Sequence, residues 1–254
     1  MAAFLREART LKLLSVLTVF LLWEFAGRLP VSPAFPTFFD TMAALADMLR
    51  DGSMLRAYPE TLKPLGLGLL ISGILGVGLG VAMGLSEKTE WFVAPVFIVM
   101  QSAPLAALIP LLVLAYGIGL TSKVLVVCIM AMPVIVLNSA NAVRHTPSSI
   151  KDMGHVFLGS RKDIIFKIIL PAASPVIFAG LRLGASAGFI GAILAELLIT
   201  PTGIGDLITY NQAIAEYAKM YAAIFSIIVL AVLFLEVLEK MEFVLFRPDK
   251  RIST

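Results

Sequence analysis

Apolar residues come in long blocks, separated by short polar stretches. Leu65 to Leu85 carries no charge for 21 residues. At about 1.5 Å per residue, that is enough helix to cross roughly 30 Å of hydrocarbon. Trp91 to Leu120 is also uncharged but is interrupted by Pro95, Pro104 and Pro110, which predicts a kinked span centred on Gln101, Ser102 and Pro104 rather than one straight rod. Further blocks cover Thr121 to Ala142, Pro171 to Thr200 and Lys219 to Phe246, and a weaker one covers Leu13 to Trp23, reaching Leu29 across Glu24 and Arg28. Between the weak block and the first strong one, LPVSPAFPTF is broken by prolines. The segment Thr37 to Leu49 repeats Phe38, Met42, Leu45 and Leu49 at helical steps, the pattern of an interfacial helix. Six spans are expected, at about 10–28, 64–86, 91–118, 121–142, 168–200 and 219–246, within one domain of residues 1–254.

Composition fixes the class of solvent. Hydrophobic residues make up 59% of 254, charged residues 15%, and the mean hydropathy is +0.95, which leaves too little polar surface for a water-soluble globule. In hydrocarbon every backbone polar group needs an internal partner, and runs of this length suit helices rather than the alternating segments of a barrel. The expectation is an all-α, polytopic helical bundle. No small-x-small site follows the first apolar core, so that core is read as an uncleaved first helix. With that amino end inside, thirteen Lys and Arg fall on inner segments, including Arg6, Arg9, Lys12, Arg247, Lys250 and Arg251, against six on outer ones, which predicts both termini in the cytoplasm. The one cysteine, Cys128, lies in an apolar run and reads as a small packed residue. The net charge of +3 follows membrane topology and gives no sign of nucleic-acid binding.

The longest polar stretch, Thr146 to Pro175, differs from the rest. Thr146 or Ser149 suits an N-cap, Pro147 a first helical position, and Asp152 stands three residues after Ser149 in capping-box spacing, so a short helix is predicted, ended by Gly159. Ile150, Met153 and Phe157 give it one apolar face. His145 and His155 lack helical metal-ligand spacing and read as solvated.

This stretch resembles the EAA loop of the permease subunits of binding-protein-dependent ATP-binding cassette importers, whose pattern is E-A-A, three residues, G, nine residues, I-x-L-P. Ile168, Leu170 and Pro171 match the end of the pattern, and Asp152, Met153 and Gly154 take the E-A-A positions. Leu158 stands where the glycine is expected, with Gly159 one place later. The resemblance covers roughly residues 29–208. It includes the stretch from Val99 to Gly119, and Gly180, Leu181, Arg182, Ala195, Glu196, Gly203 and Gly205, which resemble the family's G-L-R, A-E and G-x-G. It implies a type I importer fold in a bacterial inner membrane, probing partners on both sides: separate ATPase subunits inside, an extracytoplasmic solute-binding protein outside, and a second permease copy. No G-x-x-x-x-G-K-[ST] loop is present, so no cofactor is expected in this chain, and ATP with Mg would be bound by the ATPase. The branch resembled handles nitrate, sulfonate, taurine and vitamin-precursor-like solutes.

Candidate site residues follow. In the loop at 146–167 and just after it, Ile150, Met153, Gly154, Phe157, Gly159 and Pro171 would form or position the ATPase contact, with Asp152, Arg161 and Lys162 orienting it. Intramembrane charge is costly and faces protein or a water-filled cavity. Arg182 therefore reads either as an anion-attracting residue of the pathway or as a structural cation paired to carbonyls or an acid. Fourteen residues, about 21 Å of helix, keep it from Glu196. Glu196 reads as snorkelling to the outer interface or as part of an outer gate with Gly203 and Gly205. Gln101, Ser102 and Asn138 would line the path or hydrogen-bond between helices. Two other classes predict other features: an ion-gradient-driven transporter would need a mid-membrane ionisable relay, and an intramembrane enzyme paired carboxylates or a nucleophile with its base.

Overall fold

A computed structural model describes residues 2–29, 32, 34–199 and 202–246. Among these the ordered elements are helices: α1 (Ala2–Arg28), α2 (Phe38–Arg50), α3 (Ser53–Leu85), α4 (Glu87–Ser102), α5 (Leu105–Tyr116), α6 (Leu120–Arg144), α7 (Ser148–Val156), α8 (Arg161–Asp163), a π-helical turn (Ile164–Ile169), α9 (Leu170–Ile199), α10 (Ile204–Ala213) and α11 (Tyr217–Phe246). Arg247, Lys250 and Arg251 lie outside the described residues. Among the described residues four helical stretches are long and apolar enough to cross a membrane: Ser53–Leu85, Leu120–Arg144, Arg161–Ile199 and Tyr217–Phe243. The pair α4 and α5 makes a fifth if it counts as one broken span, so the expected six is an approximate count. The predicted kink is a break. The chain turns by 110° between α4 and α5, where Ala103 and Pro104 are extended. A residue before proline is pushed out of the helical region, and proline has no N–H to carry the ladder onward.

The chain groups into two compact units, Met1–Pro59 with Thr202–Ile228, and Glu60–Pro201 with Val229–Thr254. In the first unit aromatic rings join α1, α2 and the start of α11. Phe20 stacks on Phe38 at 4.7 Å, Phe35 meets Tyr221 edge-on at 5.7 Å, and the Trp23 indole donates to the Pro36 carbonyl. A Cβ on Gly27 would stand 2.7 Å from the Thr37 Cα, so glycine lets the approach to α2 pass directly over α1. Thr37 caps α2 by accepting from the Asp40 N–H. The buried stripe of α2 is Thr41, Ala44 and Met48. Phe38, Met42 and Leu45 are only half-buried beside it, and Leu49 is exposed, so the face is rotated from the one predicted.

In the second unit α6 is the buried axis, held between two rows of glycine. Cβ atoms on Gly76, Gly80 and Gly84 of α3 would strike Ile135, Ser139 and Val143 at 2.9 Å or less. On α9, Gly180 and Gly184 meet Asn138 and Ile135 as closely. Lipid tails are as apolar as leucine, so helices in a membrane gain by packing closely rather than by leaving solvent, and backbone approach at small residues provides that packing. Both four-residue glycine rows face protein, and they close on the same helix from two sides.

Candidate functional site

At one end of the second unit, α3, α6 and α9 reach the segment carrying α7. The predicted helix is there, from Ser148 to Val156, but neither end is the one expected: Pro147 stands just before it and its carbonyl accepts from the Ile150 and Lys151 N–H groups, Ser149 lies inside it, and the Thr146 hydroxyl donates back to the Ala142 carbonyl instead of capping it. Leu158, not Gly159, takes the left-handed conformation, at φ 54°. The Gly159 N–H donates back to the Gly154 carbonyl at 3.0 Å, the long bond of a Schellman ending with Leu158 at its left-handed position. Leu158 is also the position at which the EAA pattern places glycine, and φ shows why glycine suits it. Gly159 serves a different need, since a Cβ there would sit 3.0 Å from the Gly154 carbonyl oxygen.

Gly154 is buried, and a Cβ on it would stand 2.6 Å from Ile168 Cδ1 and 3.2 Å from Ile164 Cγ1. One side of α7 is thereby seated on the π turn. Ile150 is half-buried, while Met153, Phe157 and Leu158 are 51%, 78% and 93% exposed. Asp152 and Arg161 are exposed too. The expected apolar face of Ile150, Met153 and Phe157 is therefore divided, with Met153 and Phe157 outward and Ile150 turned partly in.

The helix leading into the long span starts earlier than expected, at Arg161 rather than near 168. Ser160 caps it by accepting from the Asp163 N–H, and Lys167 pairs with Asp163 at 2.7 Å. It continues through the π turn, where the Leu170 N–H reaches back to the Ile165 carbonyl. Pro171 supplies the cause. It has no N–H for the Lys167 carbonyl and its ring would clash there, and a widened turn makes room. The I-x-L-P signature thus has two physical parts: Ile168 meets Gly154, and Pro171 opens the turn.

The far end of the same unit holds buried charge. Glu196 and Lys123 are 2% and 4% exposed; their Oε1 and Nζ lie 3.5 Å apart, and the Thr61 hydroxyl donates to Glu196 Oε2 at 2.9 Å. This joins α3, α6 and α9 and overturns the snorkelling alternative for Glu196. Lys123 is one of the six cations that the sequence places on outer segments, and no local signal pairs it with Glu196, 73 positions further on. Arg182 pairs with Glu239 of α11 at 3.3 Å, the acid partner of its structural reading, and also lines a cavity of about 140 Å³ with Leu69, Ile135, Phe178 and Phe234.

The remaining candidates are dispersed. Gln101 and Ser102 are exposed at the end of α4, the Ser102 hydroxyl donating to the Ile98 carbonyl. Asn138 packs against Gly180 and donates to the Val134 carbonyl of its own helix at 2.8 Å. Gly203 and Gly205 belong to the other unit, where Gly203 opens α10 at φ 88°, a conformation that favours glycine. Glu90 and Arg144 form an ion pair that ties α4 to α6, which the sequence did not suggest.

An all-helical bundle with apolar spans, closely packed through glycine and interrupted by one short amphipathic helix between two of them, is the architecture of a polytopic membrane protein. Residues 73–239 match the family described as binding-protein-dependent transport system inner membrane component, and the chain belongs to that family. It is similar to the putative aliphatic sulfonates transport permease protein SsuC of Bacillus subtilis, at 27% identity over 80% of this chain and 74% of that one. It is also similar to the taurine transport system permease protein TauC of Escherichia coli, at 26% identity over 72% and 66%. Among solved structures, the MetNI methionine ABC transporter in an inward-facing conformation shares the fold, with a TM-score of 0.63 and 17% identity over 77% of this chain and 98% of that one. The chain is a multi-pass inner-membrane subunit of a binding-protein-dependent ABC importer. That assignment displaces the gradient-driven alternative.

Proposed function

We propose that α7 is the handle by which a separate ATPase, binding ATP and Mg, drives this permease, and that two copies of the chain form the pathway. Both termini and α7 face the cytoplasm in this reading, and a solute-binding protein delivers cargo at the opposite side. The observation that carries it is the split of α7. Its Gly154 side is fixed to the start of the long span, while Met153, Phe157 and Leu158 stand outward. An apolar cluster this exposed, beside Asp152, suits a partner's groove. Binding there shifts the bundle only if the ATPase favours one of two arrangements. The solute is a small anion such as a sulfonate, taurine or nitrate, or a vitamin precursor. The relatives named above, for aliphatic sulfonates and for taurine, support the sulfonate part of this range.

The test is ATPase capture. Phe157→Asp and Asp152→Lys are expected to abolish co-purification of the ATPase while membrane insertion and melting temperature stay unchanged. Continued co-elution, with hydrolysis still responding to the binding protein, overturns the proposal. For orientation, a Phe157→Cys variant is expected to react with an impermeant maleimide only in inside-out vesicles; reaction from the outside overturns it.

A further inference from the structure

A second feature at the α7 end is a cleft of about 530 Å³, walled by the ends of α3 (Gly84, Leu85) and α6 (Val143) and by Ile164, Ile165 and Ile169. At its rim stand Lys151 of α7 and Arg161 of α8. Neither cation has an ion-pair partner among the described residues; the nearby carboxylate of Asp163 is taken by Lys167 and Ser160. The cleft also lies where apolar spans stop: α3 ends at Leu85, α6 ends one residue after Val143, and the long span Arg161–Ile199 begins here. Charge also returns to the chain here, at Glu87 and Lys88 after α3, at Arg144 closing α6 and from Arg161 to Lys167, which is the pattern of a membrane surface. The cleft therefore combines an apolar wall with two cations that have no ion-pair partner among the described residues.

We infer that this cleft holds an anionic glycerophospholipid, its phosphate between Lys151 and Arg161 and the upper part of one acyl chain along Leu85, Val143, Ile165 and Ile169. Charge complementarity selects the occupant. Basic pockets between spans at a membrane surface hold anionic headgroups, and each Lys or Arg near the surface strengthens binding about fivefold. An acidic side chain of the ATPase would satisfy the cations too, but it would leave the isoleucine wall without an apolar partner. A lipid bound here would touch both the base of α7 and the π turn, so the anionic content of the bilayer would bear on the coupling segment.

The test uses the protein purified from its membrane with the subunits that accompany it, placed in nanodiscs of phosphatidylcholine with 0% or about 30% phosphatidylglycerol. Native mass spectrometry is expected to show phosphatidylglycerol retained by the wild type, about fivefold less by Lys151→Gln, and about 25-fold less by Lys151→Gln with Arg161→Gln. Leu85→Trp, which fills the cleft from its apolar side and keeps both cations, is expected to lose the lipid as well. Wild-type retention in the double variant overturns the inference, as does loss of the ATPase with the lipid still bound, which would assign the cations to the protein partner.

Discussion

The two ends of the second unit invert the usual arrangement of a protein surface. At one, Lys123 and Glu196 are buried together; at the other, Met153, Phe157 and Leu158 are exposed. Charge out of water has to be satisfied inside the chain, and here Thr61, Lys123 and Glu196 meet across three helices. At the other end Met153, Phe157 and Leu158 stay exposed in the single chain, and these are the side chains proposed above to meet the ATPase. One end is held by contacts within the chain and the other is proposed to need a partner, so substitutions at the two should fail differently.

The largest effect is expected where charge is buried. Glu196→Gln removes the buried carboxylate 3.5 Å from Lys123 and should destabilise the chain by about 3–5 kcal/mol in a reversible unfolding assay in micelles. The double variant Lys123→Met with Glu196→Met removes both charges and should recover most of that loss. If Glu196→Gln alone is neutral, this end is not held by its ion pair. Next comes Gly184→Val, whose added atoms meet Ile135 Cγ1 at 2.3 Å from the Cβ position and should cost about 1–3 kcal/mol by the same assay.

A smaller change, of opposite sign, is expected at the assembly end. Leu158→Gly removes a side chain from a left-handed position and should stabilise the end of α7 by about 1 kcal/mol, read as slower amide exchange at Phe157 and Gly159. The smallest effect lies in the other unit, at Asp51. Hydrogen bonds from the Ser53 hydroxyl and backbone N–H, and then the charges of Arg56 and Lys219, hold its carboxyl below the ordinary 3.8. A depressed carboxyl contributes stability above its unfolded pKa and loses it as pH falls through the folded value. The start of α3 should therefore fray below about pH 4, and Asp51→Asn should abolish that dependence, followed by amide exchange at Ser53.

Much of this was legible in the chain because its signals are local. Apolar runs, the glycine steps and the apolar periodicity near Ile150 each depend on residues a turn or two apart, and they gave spans, packing faces and the existence of α7, though not its caps. What stayed hidden depends on residues far apart. Lys123 and Glu196 are 73 positions apart, Arg182 and Glu239 are 57, and no periodicity pairs them. The rotated face of α2 and the divided face of α7 were missed for a related reason: periodicity finds an apolar stripe but not which half of it a neighbour covers. Leu158 shows the converse, since its backbone conformation matches a glycine signature that the residue itself does not display.

The π turn ahead of Pro171 decides how a load reaches the bundle. Ile164 and Ile168, on which α7 rests through Gly154, both lie on the near side of that proline. Helix α7 is thus fastened to a collar, and the collar lacks one rung of the ladder that stiffens the rod beyond it. In the role proposed for α7, a pull on it would meet that joint before the straight helix, and would pass into the membrane as a twist or tilt about the joint more readily than as a straight push along the axis.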